Sequence, residues 1–328
     1  MPEFKIQHIT KYSYDGPVRD SANQIILYPI KDDYQEVIKH EIKISGDPSV
    51  DIHVDYYGNE VGDFTYIEPH STLEITSRIW VNTKHRMYPM DDIFAEQQWE
   101  DLRQLHGQVA YIDFLRQEYF DGLDELQQII NKDKVANETP YQLAMRFCKY
   151  VYENFEYIKG VTTVETTLDE IWALKAGVCQ DFAHILMEML RLVNIPARYV
   201  SGYICSSKSH WRGEGATHAW AEAYLPGYGW LGLDPTNNII ANENHVRLAV
   251  GRNFSDCSPV KGVYKGAATH SLEVAVSVGN PGDSHTEDYD HEVHHETPPA
   301  LKKLTQVPQN SYRLYLEMMQ QQQQQQQQ

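Results

Sequence analysis

The sequence predicts an α+β protein in which a small β-sandwich domain precedes a core of helices packed on an antiparallel sheet. Two periodicities lead to this class. Apolar and polar side chains alternate through much of residues 3–83, and apolar residues recur at helical spacing between about residues 91 and 176. A third observation is composition, because 41% hydrophobic residues in a chain of 328 is enough to build a sizeable core. At roughly 150 residues per domain, the length suggests two domains.

The N-terminal domain is predicted to span residues 1–85. Its alternation is clearest in three stretches, which are residues 4–12, 50–56 and 73–81. Period-two alternation indicates strands with one buried face, and several short strands in so few residues favour a β-sandwich. The domain holds no catalytic constellation, and we expect its histidines to be ordinary sheet residues, namely His8, His40 and His53.

A helical connector is predicted over residues 86–139, and two helix starts follow it. Thr139 can cap the first, Pro140 suits the first helical position, and Gln142 can reach back to the backbone N–H of the cap. Residues 167–170 repeat this capping box. The second helix is expected to end near Gly177, because glycine readily takes the left-handed conformation that ends helices.

The charge of the chain excludes several classes of partner. Lys and Arg total 28 against 46 Asp and Glu, a formal net charge of −18, which repels nucleic-acid phosphates and anionic lipid.

No apolar run approaches the roughly 20 residues that a membrane helix needs. The first residues also lack the basic-then-apolar pattern of a signal peptide. We therefore expect a cytoplasmic protein that binds neither nucleic acid nor membrane.

The number and spacing of the cysteines do not indicate a disulfide framework. The chain has only 4 of them, and no two form a Cys-x-x-Cys pair, so reduced thiols are the simplest interpretation. Cys148 falls on the apolar stripe of a predicted helix and is expected in the core. The sequence has no EF-hand loop, no zinc-ligand spacing and no phosphate-binding glycine loop, and we therefore expect no cofactor and no metal.

The last segment, residues 281–328, is predicted to be a disordered tail. It combines an acidic, histidine-containing stretch with a run of glutamines at the end of the chain. Such a composition buries too little apolar surface to offset the entropy of ordering. Its histidines could ligate a transition metal, but a solvated acidic tail is the interpretation that we favour; they are His285, His291, His294 and His295.

Cys179 is the first candidate for chemistry. It precedes an apolar helical stripe that starts at Phe182 and ends before Pro196, so it lies in the first turn of a buried helix. Unpaired backbone N–H groups and the positive end of the helix dipole stabilise a thiolate there, and one N–H could face an oxyanion. Asp181 suits the same dipole and is expected to be a cap carboxylate rather than a catalytic group.

His218 and Asp234 can meet Cys179 if two strands pair in one particular register. The pattern predicts strands at 197–204, 217–225 and 230–236, with the histidine opening the second and the aspartate closing the third. Pairing Tyr224 with Trp230 places Asp234 diagonal to His218 on one face. A turn shorter by one residue would turn Asp234 away. We predict the first register, which gives a nucleophile, its base and the acid that orients the base.

Four segments carry a resemblance to a known family: residues 177–183, 196–203, 218–220 and 234–236. They resemble the bacterial branch of the transglutaminase-like superfamily, whose members are often described as cysteine proteases. The resemblance runs from about residue 143 to 280, and the N-terminal β region is similar to the domain that often precedes this core. It implies a papain-like, transglutaminase-like α+β core over residues 140–280.

The resemblance also implies roles. Cys179 would be the nucleophile, His218 the general base and then acid, and Asp234 the orienting carboxylate. The second oxyanion donor of the family is an upstream aromatic or amide side chain, for which Tyr157 is our candidate and Trp172 a weaker one. Trp220 could line a substrate cleft, although packing beside a sheet is the commoner role of such aromatics.

Three functions stay open at this point. The first, which we favour, is a cysteine peptidase or related amide hydrolase with a peptide or protein substrate. The second is a transglutaminase, since an amine instead of water could resolve the acyl-enzyme. The third is a binding protein on an inactive copy of the fold, which the intact Cys179, His218 and Asp234 disfavour.

Overall fold

A computed structural model describes residues 1–132, 135–205, 212 and 217–279 of the chain. The predicted tail at 281–328 and its histidines lie outside the described residues. None of the described helices combines the length and apolar character that crossing a bilayer requires.

The N-terminal region is built around one long bent strand, β1 (Glu3–Ile25). Its first half pairs with β5 (His70–Thr83) and its second half with β4 (Glu60–Tyr66), with a break in register between Ser13 and Val18. β2 (Gln35–Ile44) extends the sheet beyond β5, and β3 (Asp51–Val54) extends it beyond β4. The two halves enclose a core of buried apolar side chains, among them Phe4, Ile6, Ile25, Leu27, Phe64, Leu73 and Ile75.

The alternation at 50–56 does produce a strand, but the expected buried face is wrong there. Ile52 is 58% exposed and Val54 66% exposed. The reason is position, because β3 lies at the end of the strand order and pairs with β4 alone among the described strands.

The end of the described chain returns to the N-terminal region. β13 (Val260–Lys265) pairs with the second half of β1, and β14 (His270–Gly279) pairs with the first half. The core predicted over residues 140–280 includes both strands. Their pairing with β1 bridges more than 200 positions, and no local pattern indicates it.

The helical region contains α1 (Ala95–Arg103), α2 (Val109–Leu115), α3 (Leu123–Lys132), α4 (Pro140–Asn154) and α5 (Leu168–Leu174). Both predicted capping boxes are present. Thr139 Oγ1 accepts from the Gln142 N–H at 3.2 Å, while the Thr139 N–H donates back to Gln142 Oε1 at 3.4 Å. Thr167 and Glu170 repeat the arrangement at the start of α5.

The predicted end of α5 at Gly177 is wrong by two residues. Lys175 takes the left-handed conformation, with φ 49°, and ends the helix. Gly177 instead belongs to β7 (Ala176–Gly177), which pairs in parallel with β6 (Glu156–Tyr157). Glycine is needed here because a Cβ would lie 2.3 Å from Asp181 Oδ2.

The second half of the chain packs α6 (Cys179–Leu192) on an antiparallel sheet, which confirms the predicted fold class. The described sheet runs in the order β11 (Ile239–Ile240), β10 (Gly229–Asp234), β9 (Thr217–Leu225), β8 (Ala197–Ile204) and β12 (His245–Gly251). A short helix, α7 (Phe254–Cys257), follows β12. Small side chains on one face of β9 let α6 approach closely, and these are Ala219, Ala221 and Ala223.

Buried polar contacts join the N-terminal region to the core sheet. His8 Nδ1 is 2.9 Å from the Tyr203 hydroxyl, and both side chains are almost fully buried. Asn59 exchanges two hydrogen bonds of 2.8 Å with the backbone of Val250. Because each of these groups has its partner across the junction, the contact buries polar groups without leaving them unpaired.

Candidate active site

Cys179 is the first residue of α6, and its side chain is half-buried. The turn before it is fixed by Asp181, whose Oδ2 accepts from the Val178 N–H at 2.8 Å and from Thr162 Oγ1 at 2.6 Å. Asp181 is therefore a cap carboxylate, as expected. Burial raises the pKa of this carboxyl group, and the two hydrogen bonds lower it again in part.

The register of the β9–β10 hairpin is the predicted one. Tyr224 pairs with Trp230, and the ladder continues to Leu233 opposite Ala221. The turn is tighter than expected, since Leu225 also pairs with Gly229. Asp234 follows directly and reaches the histidine that opens β9.

His218 and Asp234 form a fully buried pair. His218 Nε2 lies 2.9 Å from Asp234 Oδ2, and both side chains are excluded from solvent. The other ring nitrogen, Nδ1, is buried and has no hydrogen-bond partner among the described residues. Nδ1 is thus the atom left for Cys179, whose side chain interacts with the imidazole.

The surroundings of His218 decide its protonation. Burial by itself favours the neutral ring, but the charge and hydrogen bond of Asp234, and then the Cys179 side chain, outweigh burial and raise the pKa of His218 to about 10. These contacts favour the protonated ring, which would be an imidazolium between a carboxylate and a thiol.

Asp234 is held by more donors than the sequence indicated. Oδ2 also accepts from Asn237 Nδ2 at 2.8 Å and from His245 Nε2 at 3.3 Å, while Oδ1 accepts from the Thr236 N–H at 3.0 Å. Burial alone would raise the pKa of this carboxyl group, but His218 and His245 hold it well below its usual range.

Two of these partners, Asn237 and His245, were missed by the sequence analysis. Asn237 lies three residues after Asp234 and carried no motif. His245 opens β12, and only the pairing of β12 with β8 brings it to the site. A histidine at a strand start was the available signal, but nothing local linked that strand to this sheet.

The group of His218, Asp234 and His245 also has the spacing of a metal site, because its ligand atoms lie within 4.8 Å of one another. The proton positions argue against this use. The Asn242 N–H donates to His245 Nδ1 at 3.2 Å, so the proton of a neutral His245 is on Nε2 and faces Asp234. Burial lowers the pKa of His245, which keeps it neutral. These contacts describe a hydrogen-bond network.

The aromatic candidates have different surroundings. Tyr157 pairs with Gly177, two residues before Cys179, and its ring makes an edge-to-face contact with that of Phe182. Trp172 donates its Nε1–H to Glu125 Oε2 at 2.8 Å, so this N–H is not available to an oxyanion in this conformation.

Trp220 lies beside the catalytic candidates but not on an open cleft. Its side chain is fully buried, and its ring centroid is 6.0 Å from that of His218 and 5.1 Å from that of His245. Packing beside the sheet, the alternative given for this residue, is what the contacts describe.

Comparison with known proteins assigns the chain to a family. A cysteine at a helix start that faces a buried His–Asp pair on an antiparallel sheet is an arrangement of the papain-like class. The family model described as "Transglutaminase-like superfamily" matches residues 128–235, and that described as "Bacterial transglutaminase-like N-terminal region" matches residues 4–82. The chain belongs to this bacterial transglutaminase-like family.

Two known proteins and one solved structure are similar to this chain. An uncharacterized protein of Mycobacterium tuberculosis strain H37Rv is 30% identical over 291 residues, which cover 84% of this chain and 92% of that protein. A protein-glutamine gamma-glutamyltransferase of Pseudomonas aeruginosa is 30% identical over 127 residues, 35% of this chain and 18% of that enzyme. The crystal structure named "Putative Cysteine Protease from Cytophaga hutchinsonii" has the same fold, with a TM-score of 0.67, 24% identity and coverage of 87% of this chain and 92% of that one.

Proposed function

We propose that this protein is an enzyme that cleaves peptide or related amide bonds through a covalent thioester on Cys179. The observation that carries the proposal is the buried pair of His218 Nε2 and Asp234 Oδ2 at 2.9 Å, which leaves Nδ1 of an imidazolium for the thiol. A cationic imidazole beside a sulfur at a helix start favours the thiolate, which is the nucleophilic form.

In the acylation half, Cys179 Sγ forms a bond to the carbonyl carbon and the carbonyl π electrons move to oxygen. The Cys179 backbone N–H supports that oxyanion, since the first N–H groups of a helix have no intrahelical partner. When the tetrahedral adduct collapses, the C–N bond breaks and His218 Nδ1 gives its proton to the leaving amine. A thioester and a neutral histidine remain.

In the deacylation half, neutral His218 takes a proton from water as the water oxygen attacks the thioester carbon. The C–S bond then breaks, the Cys179 thiolate and the imidazolium are restored, and the acid leaves. Asp234 keeps the ring oriented and compensates its charge throughout.

A second candidate is transamidation, in which an amine replaces water in that last step. The observation that favours it is the similarity of 127 residues of this chain to the Pseudomonas protein-glutamine gamma-glutamyltransferase. To separate the two, the protein is incubated with a glutamine-containing peptide library and a fluorescent amine. Cleaved peptide supports hydrolysis, and incorporated amine supports transamidation. Cys179→Ala must abolish whichever product forms.

Thiol alkylation tests the proposal without knowing the substrate. The chain supplies its own comparison, because three other cysteines are buried and free, namely Cys148, Cys205 and Cys257. We expect iodoacetamide to modify Cys179 selectively well below about pH 8, and His218→Ala to abolish that selectivity. Equal labelling of wild type and His218→Ala would support the remaining alternative, a binding protein with an inactive site.

A further inference from the structure

Asp234 Oδ2 is shared by side-chain donors from different parts of the chain. His218 Nε2 lies 2.9 Å away, Asn237 Nδ2 2.8 Å and His245 Nε2 3.3 Å. An ionised carboxylate oxygen offers about two lone-pair directions. These donors therefore compete for one oxygen, and the hydrogen bond of His245 is the longest of them.

His245 takes part in this competition as a neutral donor of fixed orientation. Its Nδ1 accepts from the Asn242 N–H at 3.2 Å, which leaves the proton on Nε2 and directs it at Asp234. The side chain is buried, and the Trp220 ring packs against it edge to face, with the ring centroids 5.1 Å apart. A ring confined in this way keeps its N–H on the carboxylate.

Charged groups face His245 from two sides. On one side are Asp234 and His218, which form the buried pair. On the other side is a pocket of ≈ 60 Å³, which His245 lines together with the charged side chains of Lys84, Arg86, Glu222, Glu243 and Arg247. A substitution of His245 removes none of these groups, so a change in the titration of His218 would report the lost N–H.

The hydrogen bonds at Oδ2 decide how firmly Asp234 holds the proton of His218, whose other charged neighbour is the thiol of Cys179. An N–H dipole aimed at a carboxylate offsets part of its charge, which leaves less attraction for the imidazolium. An imidazolium that is held less firmly gives up its Nδ1 proton more readily. The N–H of His245 therefore favours the step in which the leaving amine takes this proton.

We propose that His245 is a positioning residue of the reaction, which competes with His218 for Asp234 Oδ2 and so eases the release of the His218 proton to the leaving amine. This role rests on the proposed function, because it matters only if His218 delivers that proton. His245 acts through Asp234 and touches neither the substrate nor the thiol.

NMR titration of the full ¹⁵N-labelled chain tests this role. His245→Phe keeps an aromatic ring but removes the N–H, and we expect the pKa of His218 to rise by about 0.5–1. His245→Gln restores an N–H of similar reach and should return this pKa toward the wild-type value. The control is His8→Phe, which removes another buried histidine, one that contacts Tyr203 and Thr10, and should leave the pKa of His218 unchanged.

The wild-type chain supplies a second measurement, which does not require a variant to fold. Competition for one oxygen is reciprocal, so the ¹⁵N shift of His245 Nε2 should change with the same midpoint as the titration of His218. A His245 Nε2 signal that stays constant through that titration would overturn the proposal. An unchanged or lowered pKa of His218 in a folded His245→Phe would overturn it as well.

Alkylation of Cys179 separates this inference from the proposed function. If the alkylation is selective and depends on His218, while the pKa of His218 is the same with and without the His245 N–H, the competition is wrong and the thiol chemistry stands. If Cys179 reacts no faster than the other cysteines, the proposed function is wrong, and the role of His245 in the reaction is wrong with it.

Discussion

At the scale of single residues, the site is organised by Asp234. One carboxylate with no solvent contact accepts from two histidines, an asparagine side chain and a backbone N–H. Because these donors stabilise the charged form, Asp234 stays ionised in spite of its burial. That charge in turn keeps His218 protonated, and the proposed thiolate depends on it.

Asp234→Asn tests whether the charge of Asp234 acts on Cys179 through the protonation of His218. The amide keeps the shape of the side chain but removes the charge, so the pKa of His218 should fall from about 10 toward or below its ordinary 6.5. We expect amide cleavage to drop by about 10²–10⁴-fold. The measurement is the rate of Cys179 alkylation together with NMR titration of His218. Unchanged alkylation with a shifted His218 would show that the carboxylate does not act through the imidazole.

Tyr157 and Trp172 form a matched pair of tests for the second oxyanion donor. Tyr157→Phe should lower kcat by about 10²–10³-fold if the hydroxyl supports the oxyanion. Trp172→Phe should leave kcat unchanged, because its N–H already donates to Glu125. It should instead lower the free energy of unfolding by about 1–2 kcal/mol, measured by urea titration. A kcat effect confined to Trp172→Phe would reverse the assignment.

At the scale of elements, the start of α6 is set by the close approach of Gly177 and Asp181. The carboxylate of Asp181 fits against the bare Cα of Gly177 and accepts the Val178 N–H. This contact fixes the turn that presents Cys179. The hairpin β9–β10 supplies the other half of the site, because its register decides which way Asp234 points.

Gly177→Ala should displace the Asp181 cap. The new Cβ would be 2.3 Å from Oδ2, so either the carboxylate or the backbone must move. We expect a loss of about 1–2 kcal/mol in the free energy of unfolding, comparable to losing a helix cap, and slower alkylation of Cys179. Gly107→Ala is the control, since no atom lies within 4 Å of its added Cβ. Wild-type stability and reactivity in Gly177→Ala would contradict this account.

At the scale of the whole molecule, the N-terminal region is held to the core by buried groups that are neutral. His8 contacts Tyr203 and Thr10, at 2.9 and 3.1 Å, and burial lowers its pKa from 6.5 to about 4. Burial lowers the pKa of His184, a residue of α6, to about 4 as well. Each ring resists protonation in the folded state and accepts a proton freely once unfolded.

The stability of the protein should therefore fall as the pH is lowered from about 6.5 to about 4. Above pH 6.5 these rings are neutral in both the folded and the unfolded state, so the protein keeps its full free energy of unfolding. Between the two values the unfolded state binds more protons, at a cost of up to roughly 1.4 kcal/mol per pH unit for each histidine. Urea unfolding across this range should show a smaller slope for His8→Gln than for wild type. Equal slopes would mean that His8 does not titrate differently in the two states.

His218 changes the stability of the protein in the opposite direction and over a different pH range. Because its pKa is raised in the folded state, its contribution to stability is full below pH 6.5 and is lost as the pH rises toward about 10. Since the two windows do not overlap, the slope at acid pH reports on the buried neutral rings alone among these three histidines.

The sequence by itself determined the features that rest on neighbouring residues. The capping boxes at Thr139 and Thr167, the cysteine at a helix start and the pairing of Tyr224 with Trp230 were all predicted and are all present. Caps and tight hairpins are formed by residues a few positions apart, so their physics is contained in a short window of sequence. The α+β class followed from the same short-range periodicity.

Only the tertiary structure decided the rest. It brought His245 to Asp234, joined residues 260–279 to β1 and engaged the Trp172 N–H with Glu125. Each of these depends on groups that lie far apart in the chain. A hydrogen bond between such groups forms only after the strands and helices have packed, so no local pattern carries its signature.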